Sequence, residues 1–355
     1  MSLLPELSFA KDSTLLIAGN DGLYHLVLDE TTGEISTPKR IQSYAAGSFL
    51  AKHPVHNVIY GCVTDKGKGH IREMHFDPKF TRVEKSSLTQ FSYPAIAHLY
   101  VHPSGEFLAG ALYGGERTTL ISLRPDGSVD RLESAIKHEG TGPHHRQNQS
   151  RPHWVGYSKD GKFTHVTDLG ADKVWSLELS ESPDKLTWKE SHSVSFPPGM
   201  GPRHMAFHPT LDRAYVTNEL DSSVSVLSTD QSNSKFEWLT KTSSLTEKDV
   251  ETFNNVSEIA VHPSGKFLYC GNRGNDSIAV FTIHPDTGMI KLIETEPMRG
   301  HWPRNFMVSN SGKWLIALGQ RSDSVTTFSI DSESGKLQFT QSYQKVPGAK
   351  CVLNL

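Results

Sequence analysis

A short turn motif recurs along the whole chain at intervals of about fifty residues. Its clearest copies read His-Pro-Ser-Gly-Lys/Glu-Phe-Leu, at His102 and His262. The seven copies begin at Ala10, His53, His102, Ser158, His208, His262 and Ser309. Self-similarity at a period of roughly 40–50 residues is typical of β-propellers, in which each repeat forms one blade. The repeat therefore predicts seven similar structural units in one ring.

Each unit contains four short apolar or alternating segments that are separated by turn residues. In the sixth unit we predict strands at Ile259–Val261, Phe267–Cys270, Ser277–Ile283 and Met289–Thr295, with Pro-Ser-Gly, Asn-Arg-Gly-Asn-Asp and Asp-Thr-Gly between them. The sequence thus predicts an all-β fold, a seven-bladed β-propeller of four-stranded antiparallel blades. A large β-sandwich or stacked barrels would not explain one motif at even spacing.

The two ends of the chain indicate how the ring closes. The C-terminal segment Pro347–Leu355 resembles the stretch that precedes each motif, but no motif follows it. At the other end of the chain, Thr14–Gly19 resembles the second strand of a unit. A C-terminal strand that completes the first blade would remove an open sheet edge. Glu6–Phe9 is the alternative for that place. We predict one propeller domain over residues 1–355, and only Thr246–Phe253 has a helical pattern.

Composition excludes several classes of partner. The chain has 36 basic and 39 acidic side chains and a net charge of −3, which gives no electrostatic case for nucleic acid or an anionic membrane. Because the sequence contains neither a secretory signal pattern nor a run of about 18 apolar residues, we expect a cytoplasmic protein. Cys62, Cys270 and Cys351 have no metal-site spacing and should be buried free thiols.

Functional residues are expected where the repeats differ from one another. Two positions, five residues before the motif and eleven after its first residue, should be neighbours at one end of each blade. In units four to seven these positions include His153, Arg203, Glu219, Arg273, Arg304 and Gln320. A repeat selected only for packing has little reason to place such side chains there. We therefore predict a polar, cationic cluster at one mouth of the central channel.

Structural interpretations of the same residues stay open at this point. Arg203 and Glu219 belong to one unit and could form a structural ion pair, which Arg273 could join from the next unit. Arg304 could be a solvated loop residue, and His153 could be a hydrogen-bonded structural histidine.

The longest interval between motifs adds a polar loop, His138 to His153, which should lie over the same mouth. Its four histidines suggest a metal site, but the adjacent His144 and His145 have no close carboxylate or cysteine pattern. We expect no metal and no cofactor. A polar lid that orients an anionic substrate through Arg146, Gln147 and Arg151 is the preferred interpretation, and an exposed loop without function is the alternative.

Several segments carry a family resemblance. RQNQSRPHW, GPRHMAFHP, TNEL, GNRGN and WPRNF resemble the seven-bladed propeller lactonases, which include propeller-type 6-phosphogluconolactonases and, more distantly, fungal carboxy-cis,cis-muconate cyclase. The resemblance implies a metal-independent enzyme that opens or closes a lactone. It places the family's active-site residues at His153, Arg203, Glu219 and Arg273.

The first expectation from this resemblance is hydrolysis of 6-phosphogluconolactone. His153 would be the general base, Glu219 would orient it or the water, and Arg203 with Arg273 would stabilise the oxyanion. The substrate's anionic groups would be bound by Arg304, Gln320, Arg151 and Arg146. The alternatives are a cycloisomerase of the muconate cyclase type and a non-catalytic propeller that binds a protein. Because His153, Glu219 and Arg203 lie near strand ends, we expect their replacement to lower turnover at least about 100-fold and to leave folding nearly intact.

Overall fold

The structure, a computed structural model, describes residues 12–91, 93–182 and 185–355. Within these residues the chain forms seven four-stranded antiparallel sheets and no helix. Each sheet is one blade, and the chain runs through a blade from its innermost to its outermost strand. The predicted all-β, seven-bladed propeller is confirmed.

The strands follow the chain in order. Blades one to three contain β1 (Asp12–Ala18), β2 (Leu23–Asp29), β3 (Lys39–Gln42), β4 (Leu50–Lys52), β5 (Val58–Asp65), β6 (Lys68–Phe76), β7 (Val83–Gln90), β8 (His98–Val101), β9 (Phe107–Leu112), β10 (Arg117–Leu123) and β11 (Val129–Lys137). Blades four and five contain β12 (Pro152–Tyr157), β13 (Phe163–Asp168), β14 (Lys173–Ser182), β15 (Lys185–Ser195), β16 (Pro202–Phe207), β17 (Arg213–Asn218), β18 (Ser223–Thr229) and β19 (Phe236–Ser243). Blades six and seven contain β20 (Asn255–Val261), β21 (Phe267–Arg273), β22 (Ser277–Ile283), β23 (Ile290–Pro297), β24 (Pro303–Val308), β25 (Trp314–Gly319), β26 (Ser324–Ile330) and β27 (Leu337–Lys345), and β28 (Cys351–Asn354) returns to blade one.

The hydrophobic core lies between neighbouring blades. Every residue of β21 is buried, because this strand has a blade on each side. Leu268 packs in one cluster with Tyr215 of blade five, whereas Tyr269 packs in another with Leu315 of blade seven. Alternate side chains of a strand point to opposite faces of its sheet. This geometry explains why the middle strands are apolar runs, while outer strands such as β27 alternate between buried and exposed residues.

The repeated turn motif joins each blade to the next. His208 Nδ1 accepts hydrogen bonds from two backbone N–H groups of its own turn, which leaves the proton on Nε2 to donate to the Gly265 carbonyl oxygen at 2.9 Å. The same bond joins His53 to Gly105, His102 to Gly161 and His262 to Gly312. Gly265 has a φ of +74°, and a Cβ there would lie 2.7 Å from the His208 ring. The motif therefore forms the turn within one blade and also a hydrogen bond to the turn of the next blade.

The ring closes as the sequence predicts. β28 pairs with β1 in antiparallel register, with Cys351 opposite Ala18, so the C-terminal strand completes blade one. The alternative strand, Glu6–Phe9, lies outside the described residues. All three cysteines are free and buried, which confirms that prediction.

The helical prediction for Thr246–Phe253 is wrong. This segment forms turns, in which the Thr246 hydroxyl donates to Asp249 Oδ2 at 2.7 Å. A short polar side chain that bonds locally to its neighbours competes with helix formation, and the segment is too short to outweigh this competition.

Candidate active site

The candidate site lies where the innermost strands of blades four to seven begin. β12, β16 and β24 each start with a proline and have a β-bulge immediately after it. His153 and Arg304 are the extra residues of two bulges, and in the third Arg203 and His204 together face Thr217. A bulge leaves its extra residue out of the ladder and redirects its side chain. This is how residues of three different strands converge on the channel.

Glu219 is the centre of the cluster. It follows β17, and its backbone N–H donates to the Gly201 carbonyl oxygen at 2.8 Å. Oε2 lies 2.8 Å from Arg203 Nε and 2.9 Å from Arg273 Nη2, and Oε1 lies 2.7 Å from Arg146 Nη1. The contacts to Oε2 are ion pairs without hydrogen-bond alignment. One buried carboxylate thus faces three guanidinium groups from three separate segments of the chain.

The charges around Glu219 determine its protonation state. Burial alone would raise its pKa, but Arg273 and Arg203 hold the pKa of Glu219 well below its usual range, so the carboxylate is ionised at neutral pH. Burial and the neighbouring Arg273 lower the pKa of Arg203, which remains protonated at neutral pH. The cluster therefore has an excess of positive charge.

His153 lies beside this ion-pair cluster. Its Nε2 is 4.0 Å from Glu219 Oε2, which is too far for a direct hydrogen bond, and its Nδ1 is buried without a hydrogen-bond partner among the described residues. The ring is held edge to face against Tyr113 and His204, with centroid distances of 5.4 and 5.3 Å. Burial and the charge of Arg203 hold the pKa of His153 well below its ordinary value. The imidazole is therefore neutral at pH 7.

The long loop before β12 closes over the cluster. Besides its ion pair with Glu219, Arg146 donates from Nη2 to the Tyr113 hydroxyl at 3.0 Å. Arg151 donates from Nε to the Arg146 carbonyl oxygen at 2.7 Å, and its guanidinium lies 5.0 Å from the Tyr113 ring centroid. Gln147 is fully buried and donates to the Leu169 carbonyl oxygen, which holds the loop in place. The loop thus brings Arg146 and Arg151 to the site.

Two further predicted residues differ in their placement. Arg304 has no ion pair within the described residues, and with Arg203 and Lys350 it lines a small gap of about 10 Å³ in the channel. Burial and Arg273 lower its pKa. Gln320 directly follows β25, and its backbone N–H donates to the Trp302 carbonyl oxygen at 3.1 Å. No described contact joins the Gln320 side chain to Glu219 or its arginines.

A second polar layer lies deeper in the channel, and the sequence analysis missed it. His204 Nδ1 is 2.8 Å from Glu258 Oε1, and Asn305 Nδ2 donates to Glu258 Oε2. Asn305 Oδ1 in turn accepts from the Val352 N–H of the closing strand at 2.9 Å. Glu258 and His204 directly follow Ser257 and Arg203, the residues five positions before the motif in units six and five. An allowance for the bulge would have brought both residues into the comparison.

The described residues contain no group of three or more His, Cys, Asp or Glu side chains that could hold a metal ion. The rings of the adjacent His144 and His145 are tilted at 35° with centroids 4.1 Å apart, and no third side chain of this kind joins them among the described residues. No helix in the described part of the chain is long and apolar enough to cross a membrane.

Comparisons with known proteins agree with this geometry. Residues 13–354 match the family model described as lactonase, 7-bladed beta-propeller. The 6-phosphogluconolactonase of Bacillus subtilis is 30% identical over 289 residues, which cover 81% of each chain. A Lactobacillus plantarum protein of solved structure has a TM-score of 0.88 at 25% identity, over 97% of this chain and 99% of the other. The periplasmic gluconolactonase of Pseudomonas aeruginosa shares the fold, with a TM-score of 0.85 at 23% identity over 97% and 99% of the two chains.

Proposed function

Because the chain belongs to the seven-bladed β-propeller lactonase family and is a lactone hydrolase, we propose that it converts 6-phosphogluconolactone to 6-phosphogluconate. The relative named 6-phosphogluconolactonase supports this substrate. The structural observation that carries the proposal is the Glu219 cluster, in which one neutral imidazole and several guanidinium groups surround a buried carboxylate. We also propose a cytoplasmic location, since a phosphorylated sugar acid carries charges that oppose passage through a bilayer.

In the proposed reaction, water adds to the lactone carbonyl carbon and His153 takes its proton. The gap of 4.0 Å between His153 Nε2 and Glu219 Oε2 suits a bridging water that both groups orient. The tetrahedral intermediate then releases the ring oxygen, which takes a proton from the His153 imidazolium. The product is the open hydroxy acid, which ionises to its carboxylate. The reaction consumes one water and needs no metal or cofactor.

Arg203 is the best placed group to stabilise the oxyanion. Its Nη1 is buried without a hydrogen-bond partner among the described residues, so this donor is left unsatisfied by the protein. Arg273 donates from Nε and Nη2 to the carbonyl oxygens of Asn255 and Val256, which leaves it fewer free donors. A fixed cation that faces the developing negative charge lowers the barrier more than it binds the neutral ring. We therefore propose that Arg203 contributes most of the stabilisation of the oxyanion and that Arg273 contributes less.

We propose that Arg304 binds the phosphate group of the substrate, together with Arg151, Arg146 and Gln320. The Arg304 side chain is half-buried and has no ion pair among the described residues, so an anion that reaches its guanidinium gains a charge-assisted partner. Its forked donors match the oxygens of a phosphate or carboxylate. The excess positive charge of these arginines therefore favours an anionic substrate.

The test compares kcat/KM for 6-phosphogluconolactone and for unphosphorylated gluconolactone. We expect the wild type to prefer the phosphorylated lactone, and Arg304→Gln to lower kcat/KM for it by about 100-fold while changing the other substrate little. Arg299→Gln is the matched control, since Arg299 is a more exposed arginine that pairs with Glu296. A wild type that prefers the unphosphorylated lactone would overturn the substrate assignment. Equal losses for both lactones in Arg304→Gln would overturn the phosphate role of Arg304.

A further inference from the structure

A second cavity lies at the opposite end of the channel from Glu219. It has a volume of about 990 Å³ and is lined by the later residues of the innermost strands, after the bulges. Its walls include Phe49, Tyr100, Tyr157, Phe207, Val261 and Met307. The prolines of three turn motifs, Pro54, Pro103 and Pro263, line it and are exposed, so it opens at the face that carries these turns. We call this cavity the lower funnel; its size and its apolar walls are those of a small-molecule site.

The lower funnel is separate from the candidate active site. Between the two lie the His204–Glu258 layer and the gap of about 10 Å³ beside Arg203 and Arg304. A gap of that volume holds about one water molecule. A molecule bound in the lower funnel is therefore not the lactone that is hydrolysed beside Glu219.

The inner end of the lower funnel is formed by His98, Glu258 and Asn305. The acceptors of Glu258 are already engaged, since Oε1 contacts His204 Nδ1 and the Ile259 N–H, and Oε2 accepts from Asn305. Asn305 Oδ1 is engaged as well, by the closing strand. Neither side chain therefore has a free hydrogen-bond acceptor to offer a ligand.

His98 is the exception at this inner end. The ring is only 2% exposed, and Nδ1 accepts a long hydrogen bond of 3.4 Å from the Val155 N–H. Burial and the neighbouring His204 hold the pKa of His98 well below its ordinary value, so the ring is neutral and its proton lies on Nε2. Nε2 points away from Val155 and has no hydrogen-bond partner among the described residues. A donor without a protein acceptor can pair with an acceptor atom of a ligand.

We propose that the lower funnel binds an uncharged, mainly apolar small molecule whose carbonyl or ether oxygen accepts a hydrogen bond from His98 Nε2. The apolar walls supply the driving force, because they remove apolar ligand surface from water. His98 Nε2 at the inner end sets the orientation, and the Tyr157 hydroxyl on the wall is a further donor without a hydrogen-bond partner among the described residues. A charged head group at the inner end would lose its hydration where the oxygens of Glu258 and Asn305 are already engaged by protein donors, which is unfavourable.

The test uses 6-propionyl-2-(dimethylamino)naphthalene, an uncharged fluorophore with apolar rings and one ketone oxygen. We expect saturable binding to the full chain at one site, with blue-shifted emission, and no competition by 6-phosphogluconate. Absence of saturable binding would overturn the proposal. So would tighter binding of the anionic dye 8-anilinonaphthalene-1-sulfonate, because the proposal requires an uncharged ligand.

Two variants locate the bound dye. Tyr100 is 45% exposed on the funnel wall, so Tyr100→Arg adds a charge there without disturbing the core and should weaken dye binding at least tenfold. His98→Phe keeps a ring but removes the donor and should weaken binding about fivefold. Val250→Arg is the control, because Val250 is 59% exposed and outside the funnel lining. Dye binding that survives Tyr100→Arg unchanged would contradict the location, and this result does not depend on whether His98→Phe folds.

Discussion

Arg203 Nε lies 2.8 Å from Glu219 Oε2, and the two side chains are only 2% and 3% exposed. Arg273 and Arg146 contact the same carboxylate, so one buried anion pairs with three cations and the cluster keeps an excess of positive charge. Removing one partner of a buried ion pair costs more than the pair itself contributes, since the remaining charge stays buried. The cluster is therefore part of the fold as well as a candidate active site.

Glu219→Gln is expected to lower both activity and stability. The amide keeps the shape of the side chain but leaves the guanidinium groups without their counter-charge, which costs about 3 kcal/mol or more in the free energy of unfolding. Turnover should fall at least about 100-fold, because the ionised carboxylate that orients His153 or the water is lost. Thermal melting in buffer without phosphate or sulfate, together with a lactonase assay, measures both effects.

The double variant Glu219→Gln/Arg203→Met is the control for this interpretation. Removing one of the uncompensated cations should recover part of the lost stability, as a double-mutant cycle would reveal. Glu237→Gln, at an exposed position, should leave the melting temperature unchanged. If Glu219→Gln melts like the wild type, the buried cations do not depend on this carboxylate.

His208→Ala tests the bond between turn motifs of neighbouring blades. The variant removes the donor to the Gly265 carbonyl oxygen and the acceptor for two backbone N–H groups, which should cost about 1–3 kcal/mol in the free energy of unfolding. Urea denaturation measures this change. His145→Ala, at an exposed loop position, should have no effect. Equal midpoints for His208→Ala and the wild type would show that the motif contributes only to its own turn.

Buried histidines predict a loss of stability in mild acid. Burial lowers the pKa of His138 to about 4 and that of His165 to about 3, whereas both side chains titrate near 6.5 in the unfolded chain. Below pH 6.5 the unfolded state therefore binds more protons than the native state, and each histidine removes about 1.4 kcal/mol of stability per pH unit until its folded pKa is reached.

Urea unfolding at pH 7, 6 and 5 measures this dependence. Glu219 loses its contribution only below its unfolded pKa of about 4.5, so it does not affect this window. His165→Gln cannot titrate and should flatten the slope. A midpoint that is constant between pH 7 and pH 5 would be inconsistent with two neutral buried histidines.

The sequence predicted most of the fold because a repeat reports on blade number directly. The even spacing of the motif, the orphan C-terminal segment and the turn residues gave seven blades and the closing strand, as β28 and β1 confirm. The helix prediction for Thr246–Phe253 was wrong, because a helical pattern over eight residues is weak compared with local side-chain hydrogen bonds. The bond from His208 to Gly265 could not be predicted, since it depends on the distance between two blades.

Part of the arrangement of the candidate site could be predicted from the sequence. Comparison of equivalent positions brought together His153, Arg203, Glu219 and Arg273, which the structure places around one carboxylate. The expectation that their replacement leaves folding intact does not suit Arg203 and Glu219, which are buried although they lie near strand ends.

The second polar layer was not predicted, because the comparison of equivalent positions between units assumed strands without bulges. A proline before His153, Arg203 and Arg304 was the available signal, as prolines inside sheets occur at first positions and bulges. With that allowance, His204 would have been counted together with Arg203.

The most direct test of the central claim is the rate of hydrolysis of freshly prepared 6-phosphogluconolactone, above the spontaneous rate, for the wild type and for His153→Ala side by side. Removing the neutral imidazole beside Glu219 should lower turnover at least about 100-fold. Because Nδ1 has no hydrogen-bond partner among the described residues, the melting temperature should stay close to that of the wild type, which would show that the loss is catalytic. Fast hydrolysis by the wild type that is lost in His153→Ala is the predicted result. Equal rates for the two proteins would contradict the assignment of this cluster as the active site.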